Sequence, residues 1–273
     1  MGAVRAIILG AGGQLGRALS AALPTATALT RAELDLTDPR SLDWSAYDTV
    51  LNAAAYTQVD QAERDRAAAW AANATGPAWL ARTAAEHGLR LVHVSTEYVF
   101  DGTHSGPIPE SLPVSPLSVY GASKAAGDAA VGVLPRHWIV RPTWVIGDGA
   151  NFARTMRGLA ERGVSPTVVA DQIGRPTLAA DLASGILALL DAEPGTYHLT
   201  NTGDPVSWAD LARFVFERSG RAAADVTDTT TAEYFAGRDA APRPANSVLD
   251  LTKAEKAGVT LPDWRTSLEE YLR

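Results

Sequence analysis

Gly10-Ala11-Gly12-Gly13-Gln14-Leu15-Gly16 follows directly on the apolar run Ala6-Ile7-Ile8-Leu9 and leads into a helical pattern over Gln14–Ala22. A short β-rich run, a turn with glycines three apart at 10, 13 and 16, and then a helix is how a dinucleotide-binding βαβ unit opens. The glycines let the backbone approach a pyrophosphate closely, and the amides and dipole of the helix start favour the anion. Gly10, Gly13, Gln14, Leu15 and Gly16 are therefore the first candidate cofactor residues. Tight turns also exist without ligands, so the assignment rests on position and spacing together.

Outward from this turn the same rhythm continues. Thr49–Asn52 and 91–95 read as short strands, 64–87 as an Ala-rich helical run, and His137–Arg141 as a further strand that closes at Pro142. Strands alternating with helices imply an α/β fold, a Rossmann-type doubly wound parallel sheet. Beyond residue 143 the rhythm loosens and Pro- and Gly-rich loops appear at 171–177, 201–205 and 240–246. The expected organisation is a dinucleotide-binding domain over 1–143, rejoined by elements from about 164–193, and a smaller mixed substrate domain over 144–273, interleaved with it.

The 273 residues suffice for one large or two modest domains with a sizeable core. A net charge of -7 disfavours nucleic acid or an anionic membrane as partner. With no cysteine, disulfides, thiolate nucleophiles and cysteine-ligated metals are excluded. No apolar stretch reaches the ~18 residues of a membrane span. The expectation is a cytoplasmic protein, monomer or homodimer, acting on a small molecule.

Roughly 20 residues after the glycine turn, where such folds place their ribose reader, stand Leu29-Thr30-Arg31 and Asp35-Leu36. An acid at that point would bond a 2′-hydroxyl and repel a 2′-phosphate, whereas Arg31 offers a cation, so NADPH is favoured over NADH. The alternative is that Arg31 is a solvated loop residue. Asp35 either faces the adenine edge or caps the turn into Thr37-Asp38-Pro39. Asn52-Ala53-Ala54-Ala55-Tyr56 ends the strand expected beneath the nicotinamide ribose. Its small residues suit backbone contact with a cofactor and sheet–helix packing equally.

Tyr120-Gly121-Ala122-Ser123-Lys124 places a phenol and an ammonium on one helix face. A neighbouring cation stabilises phenolate, pulling the tyrosine from ~10 toward neutrality and fitting it to exchange a proton with a carbonyl oxygen. In isolation the pair would more often be a surface feature. Here it follows a glycine turn and the segment Ser95-Thr96-Glu97-Tyr98-Val99-Phe100, which ends a buried strand at the carboxyl edge where open α/β sheets bind ligands. Thr96 either donates to a developing alkoxide or caps the strand end. Glu97 binds a sugar hydroxyl, tunes the proton donor, or is a surface carboxylate.

These residues resemble the dTDP-4-dehydrorhamnose reductases, within the extended short-chain dehydrogenases/reductases. The matching segments are 10–16, 34–37, 52–63, 95–102, 120–127 and 141–145, then 151–152, 171–177, 197–201, 243–249 and 261–272. The resemblance implies NADPH-dependent reduction of the C4 ketone of dTDP-4-dehydro-L-rhamnose, with Tyr120 as proton donor and Lys124 on the nicotinamide ribose and tuning the phenol. It implies Thr96 on the reacting oxygen. Leu36, Ala54, Ala55 and Tyr56 join the cofactor residues. Trp144 would line the sugar pocket, and Arg243 and Asn246 are candidates for the nucleotide diphosphate, since a guanidinium grips phosphate oxygens in pairs. Taken alone, Trp144 reads as core and Arg243 as a surface loop residue.

This chain departs from the family in having Thr96-Glu97 where Thr-Asp is usual, which bears on sugar geometry more than on reaction type. Mg²⁺ enters by resemblance alone, from relatives that look Mg²⁺-associated, because no carboxylate cluster has ligand spacing and no metal ligand is named. Two other readings stand beside the reductase: another nucleotide-sugar reductase or epimerase on the same fold, and a non-catalytic regulatory subunit of the same family. Dehydratases resembling this family pair two acids after the Thr, whereas Glu97 is followed by Tyr98, which favours net reduction. Intact Thr96, Tyr120 and Lys124 favour an enzyme.

Overall fold

A computed structural model describes residues 4–37 and 42–273. Five short strands, β1 (Ala6–Leu9), β2 (Thr27–Leu29), β3 (Thr49–Asn52), β4 (Arg90–Val94) and β5 (His137–Arg141), join the strand Gly195–His198 in one sheet. The order is Gly195–His198, β5, β4, β3, β1, β2, and every pairing is parallel. The inner strands β1 and β3 are buried along their whole length, as a parallel sheet covered by helices requires, while the edge strand β2 is partly exposed. From β1 the chain goes to β2 on one side and then crosses to β3 on the other. The carboxyl ends of β1 and β3 therefore part, and such a switch point is where doubly wound sheets bind ligands.

Helix α1 (Gln14–Ala22) crosses from β1 to β2. The expected single helical run over 64–87 is broken into α2 (Val59–Ala62), α3 (Arg66–Trp70), a wide π turn at Ala71–Thr75 and α4 (Gly76–His87). The π turn lets Asn73 reach sideways to the Tyr56 backbone, which a regular helix would not allow. The strand expected over 91–95 ends at Val94, and Glu97–Val99 forms one 3₁₀ turn capped by Thr96, whose Oγ1 accepts from Tyr98 N at 3.2 Å.

Helix α5 (Val119–Val131) follows, then α6 (Phe152–Glu161), α7 (Ala179–Leu189) and α8 (Trp208–Arg218). The apolar face of α7 lies on the same sheet face as α1, where Leu182, Ile186 and Leu189 share a core with Ile8, Leu15, Leu51, Val92 and Val140. A separate core around α6, α8 and the helix Trp264–Leu272 holds Met156, Leu211, Phe216, Trp264 and Leu268. Two-residue strands link these layers, among them Val145–Ile146 with Thr177–Leu178 and Ile173–Gly174 with Val206–Ser207. Among the described residues no helix is long and apolar enough to cross a membrane.

Leu182 is fully buried between α7 and the sheet. Its replacement by Ala removes three methyl-sized groups from a close-packed layer, and a loss of ~2–5 kcal/mol is expected in urea unfolding.

Candidate active site

The glycine turn is built by contacts that only glycine permits. Gly10 N and Ala11 N both donate to Leu29 O at 3.0 Å, and Gly10 sits at φ +81°. A Cβ on Gly10 would lie 2.6 Å from Ala54 N, and one on Gly16 would overlap the Gly10 carbonyl oxygen. The start of α1 has no side-chain cap and no acid in its first turn, so its outward amides are free to meet an anion. Gln14 Oε1 accepts from Gly147 N at 2.7 Å and ties the turn to the loop after Val145–Ile146. Leu15 and Leu36 point into the core, so only their backbones could face a ligand.

Arg31 is 80 % exposed at its side chain and donates from Nε to Asp35 Oδ2 at 2.9 Å. Asp35 Oδ1 also takes Thr37 N and Oγ1. Of the two alternatives for Asp35, the turn cap is the one formed; Asp38 and Pro39 lie outside the described residues. The loop after β3 is held at both ends. Asn52 Oδ1 accepts from Ala54 N at 3.1 Å, while Asn73 accepts from Tyr56 N at 2.8 Å and donates to Tyr56 O at 3.0 Å. This leaves Ala55 exposed and Tyr56 half-buried at the mouth of the switch point.

Helix α5 carries Tyr120 and Lys124. Ser118 caps it by accepting from Gly121 N at 3.1 Å, and Glu63 Oε1 accepts from Val119 N at 2.7 Å. The helix lies so close to its neighbours that a Cβ on Gly121 would overlap the Tyr98 carbonyl oxygen and one on Gly127 that of Asn73. Thr96, Glu97, Tyr120 and Lys124 are thereby all buried. Thr96 Oγ1 donates to Glu97 Oε2 at 2.8 Å, and the Tyr98 ring meets the Tyr120 ring edge-on at 5.4 Å.

Two expectations are corrected here. Lys124 does not draw the Tyr120 phenol toward neutrality: burial first, and then the Glu97 charge, hold it well above its ordinary value against the opposing Thr96 hydroxyl. Lys124 Nζ instead donates to Val94 O at 2.6 Å and lies 3.4 Å from His93 Nε2. Tyr120 thus rests as a neutral phenol. Nor is Glu97 a surface carboxylate, because burial pushes its carboxyl up to about 7.

On the far rim, Trp144 is a half-buried residue at φ +43° whose indole stacks on Trp208 at 3.8 Å. Arg243 donates from Nη2 to both oxygens of Asp60, at 2.8 and 2.9 Å, and from Nη1 to Ala241 O. Its charge reaches the Tyr98 phenol, which ties this loop to the site. Asn246 is engaged within the protein. Its Nδ2 donates to His104 O and Gly106 O and its Oδ1 accepts from Val248 N, so its side chain is spent on holding two loops together. Among the described residues no three His, Cys, Asp or Glu side chains are placed to hold a metal ion.

The residues unforeseen in the sequence are Glu63, Asn73, His93 and Asp60. Asn73 had one visible signal, a lone amide inside an Ala-rich run; the others were indistinguishable from ordinary polar positions.

Glu97 binds its proton more tightly when folded, about 7 against 4.5 when exposed. The folded state then holds more protons between those values, so this carboxyl makes stability fall as pH rises through about 4.5 to 7. Glu97→Gln is expected to be more stable than the parent at pH 8, with the difference vanishing by pH 4, measured as urea midpoints at the two pH values.

The family described as RmlD substrate binding domain matches residues 4–273. The dTDP-4-dehydrorhamnose reductase of Mycobacterium tuberculosis is 42 % identical, over 98 % of this chain and 92 % of its own. That of Aggregatibacter actinomycetemcomitans is 40 % identical, over 97 % of each. A crystal structure of the Bacillus anthracis dTDP-4-dehydrorhamnose reductase in complex with NADP superposes with TM-score 0.89 at 35 % identity, covering 98 % of both chains. With a match along the whole described chain and relatives of this similarity, the protein belongs to the RmlD substrate binding domain family.

Proposed function

We propose that this protein is an NADPH-dependent reductase that converts the C4 ketone of dTDP-4-dehydro-L-rhamnose to the alcohol of dTDP-L-rhamnose. The observation that carries the reading is the neutral, buried Tyr120 phenol with the Thr96 hydroxyl beside it and Lys124 one helical turn away, at the carboxyl edge of a sheet whose first turn is a glycine cradle. Relatives at 40 and 42 % identity bear that enzyme name.

The bound dinucleotide supplies the hydride. The amides at the start of α1 would hold its pyrophosphate, with Gly10, Gly13 and Gly16 allowing the approach, and Ala54, Ala55 and Tyr56 would flank the nicotinamide half. Arg31, exposed and paired with Asp35, would be the cation for a 2′-phosphate. Tyr120 gives its proton to the sugar oxygen as C4 gains hydride, so a C–H and an O–H bond form while the C=O π bond is lost. Thr96 steadies the developing charge on that oxygen. When Glu97 holds its proton it donates to Thr96, and the Thr96 hydroxyl hydrogen is then free to face the substrate.

Residues 1–143, rejoined by later elements from about 164–193, of which α7 packs on the same sheet, form the dinucleotide half, and 144–273 mainly the sugar-nucleotide half; the late strand of that sheet, Gly195–His198, lies just beyond the expected stretch. In the latter Trp144 offers an indole face to the sugar ring and Arg243 a guanidinium to the diphosphate. The enzyme acts on a small nucleotide sugar in the aqueous compartment where that sugar is made.

The test is loss of NADPH absorbance with dTDP-4-dehydro-L-rhamnose and identification of the product. Tyr120→Phe is expected to cut turnover by ~10²-fold or more with cofactor binding retained; near-normal turnover would remove the phenol from its role. No consumption by the parent protein, despite cofactor binding, would point to a different keto sugar or to a regulatory subunit. Arg31→Ala is expected to raise the Michaelis constant for NADPH several-fold and leave that for NADH nearly unchanged, and equal effects on both would sink the 2′-phosphate contact.

A further inference from the structure

Lys124 is surrounded by buried polar side chains that the reaction as written does not use. His93 comes from β4, Asn52 from the end of β3, Asp128 from the next turn of α5 and Arg141 from β5. Their hydrogen bonds decide which ring nitrogen of His93 carries a proton. Asn52 Oδ1 accepts from Ala54 N at 3.1 Å, which fixes the direction of the amide. Asn52 Nδ2 is then the atom 3.0 Å from His93 Nδ1 and donates to it. Burial, with the Lys124 charge, keeps the ring neutral, its pKa well below the ordinary histidine value. A neutral imidazole that accepts at Nδ1 carries its hydrogen on Nε2.

That Nε2–H faces two groups. One is Lys124 Nζ at 3.4 Å; the other is Asp128 Oδ1 at 3.9 Å, a buried oxygen with no hydrogen-bond partner among the described residues. An ammonium has no lone pair and cannot accept from the ring, but a neutral amine can, while still donating to Val94 O at 2.6 Å. With Lys124 charged, the ring hydrogen must go elsewhere. Asp128 Oδ1 needs to close by about 1 Å to reach hydrogen-bond distance. Arg141 Nε, donating to Asp128 Oδ2 at 3.0 Å, supplies a countercharge that opposes the burial pushing this carboxyl up.

We propose that His93 is a positioning residue for Lys124: its Nε2–H serves the neutral amine in one state and the Asp128 carboxylate in the other, so that Lys124 exchanges its proton without orphaning a buried polar group. The ionisable groups facing the cluster are Lys124, Asp128 and Tyr120 on α5, His93 on β4, Glu97 in the turn after β4, and Arg141 on β5. The use of the device rests on the reductase reading. There the ammonium form of Lys124 would be the one able to donate to a nicotinamide ribose while still bonded to Val94 O, so turnover falls as Lys124 loses its proton; no electrons are transferred.

The test uses the full chain labelled with ¹⁵N-histidine, without cofactor or sugar, so that its failure is distinct from failure of the reductase assay. The His93 resonances, assigned by their loss in His93→Gln, are expected to report the Nε2–H form throughout pH 6–9. The Nε2 shift is expected to inflect near pH 8, where burial places Lys124, and to lose that inflection in Lys124→Met. A ring protonated on Nδ1, a flat titration in the parent protein, or an inflection that survives in Lys124→Met overturns the proposal. In turnover, His93→Leu removes the donor to the amine and is expected to move the alkaline limb of the kcat profile up by ~0.5–1 pH unit, with His93→Gln restoring it. An alkaline limb that stays in place while only stability falls makes His93 a structural residue and ends the idea.

Discussion

Helix α5 rests against two backbone carbonyls, and the chemistry of the site depends on that approach. Gly121 faces Tyr98 O and Gly127 faces Asn73 O with no room for a methyl group at either position. A helix held this close cannot admit water beneath it, so Tyr120 and Lys124 are buried although one is a phenol and the other an ammonium. The approach also needs partners on the other side. The wide turn at Ala71–Thr75 presents the Asn73 carbonyl, and the 3₁₀ turn at Glu97–Val99 presents that of Tyr98. Backbone irregularities in two connecting segments thus exist where a helix must be received.

Dryness then sets the charges. Burial raises Glu97 to about 7 and lowers Lys124 to about 8, so both groups change charge near neutral pH. The same burial keeps Tyr120 protonated, which is the form a donor needs before a ketone is reduced and the form a base must not have. Desolvation acts on an acid and a cation in opposite senses. One buried space therefore brings a carboxyl and an amine into the same pH range, which no pairing of the two in water would do. Asp128 and Arg141, paired beneath Lys124, keep a fixed dipole where a lone buried charge would be costly.

The segment 59–63 joins the two sides of the site. Asp60 accepts from Arg243 and from Ala241 N, and Glu63 caps the helix that carries Tyr120. A second ion pair, Arg64 with Asp239, lies beside the first. The loop bearing Arg243 is thereby fastened next to Tyr98 and the Tyr120 phenol by contacts between residues more than 170 positions apart. Exposed ion pairs of this kind contribute little stability; their effect here is to fix where a loop lies.

Much of the fold was legible in order along the chain. The glycine spacing at 10, 13 and 16, the short apolar runs and the turn-rich later loops are local patterns, and local patterns are what periodicity reports. The Tyr120 and Lys124 pairing is likewise local, four residues on one helix. The sequence left open whether Asp35 caps a turn or faces a base, and whether Glu97 is solvated. It pointed the wrong way on Lys124 as the modifier of Tyr120, and it did not show that the Asn246 side chain is engaged by neighbouring loops, because each outcome depends on what lies across space. Asn246 is spent on the carbonyls of His104 and Gly106, and Lys124 is turned to Val94 and His93. By itself the sequence determined the elements, their alternation and the residue types available for the chemistry, since these follow from steric and hydrophobic rules acting over a few residues. Only the tertiary structure decided which of those groups are dry, which face one another and which proton each holds, because desolvation and pairing are properties of neighbours brought together from distant parts of the chain.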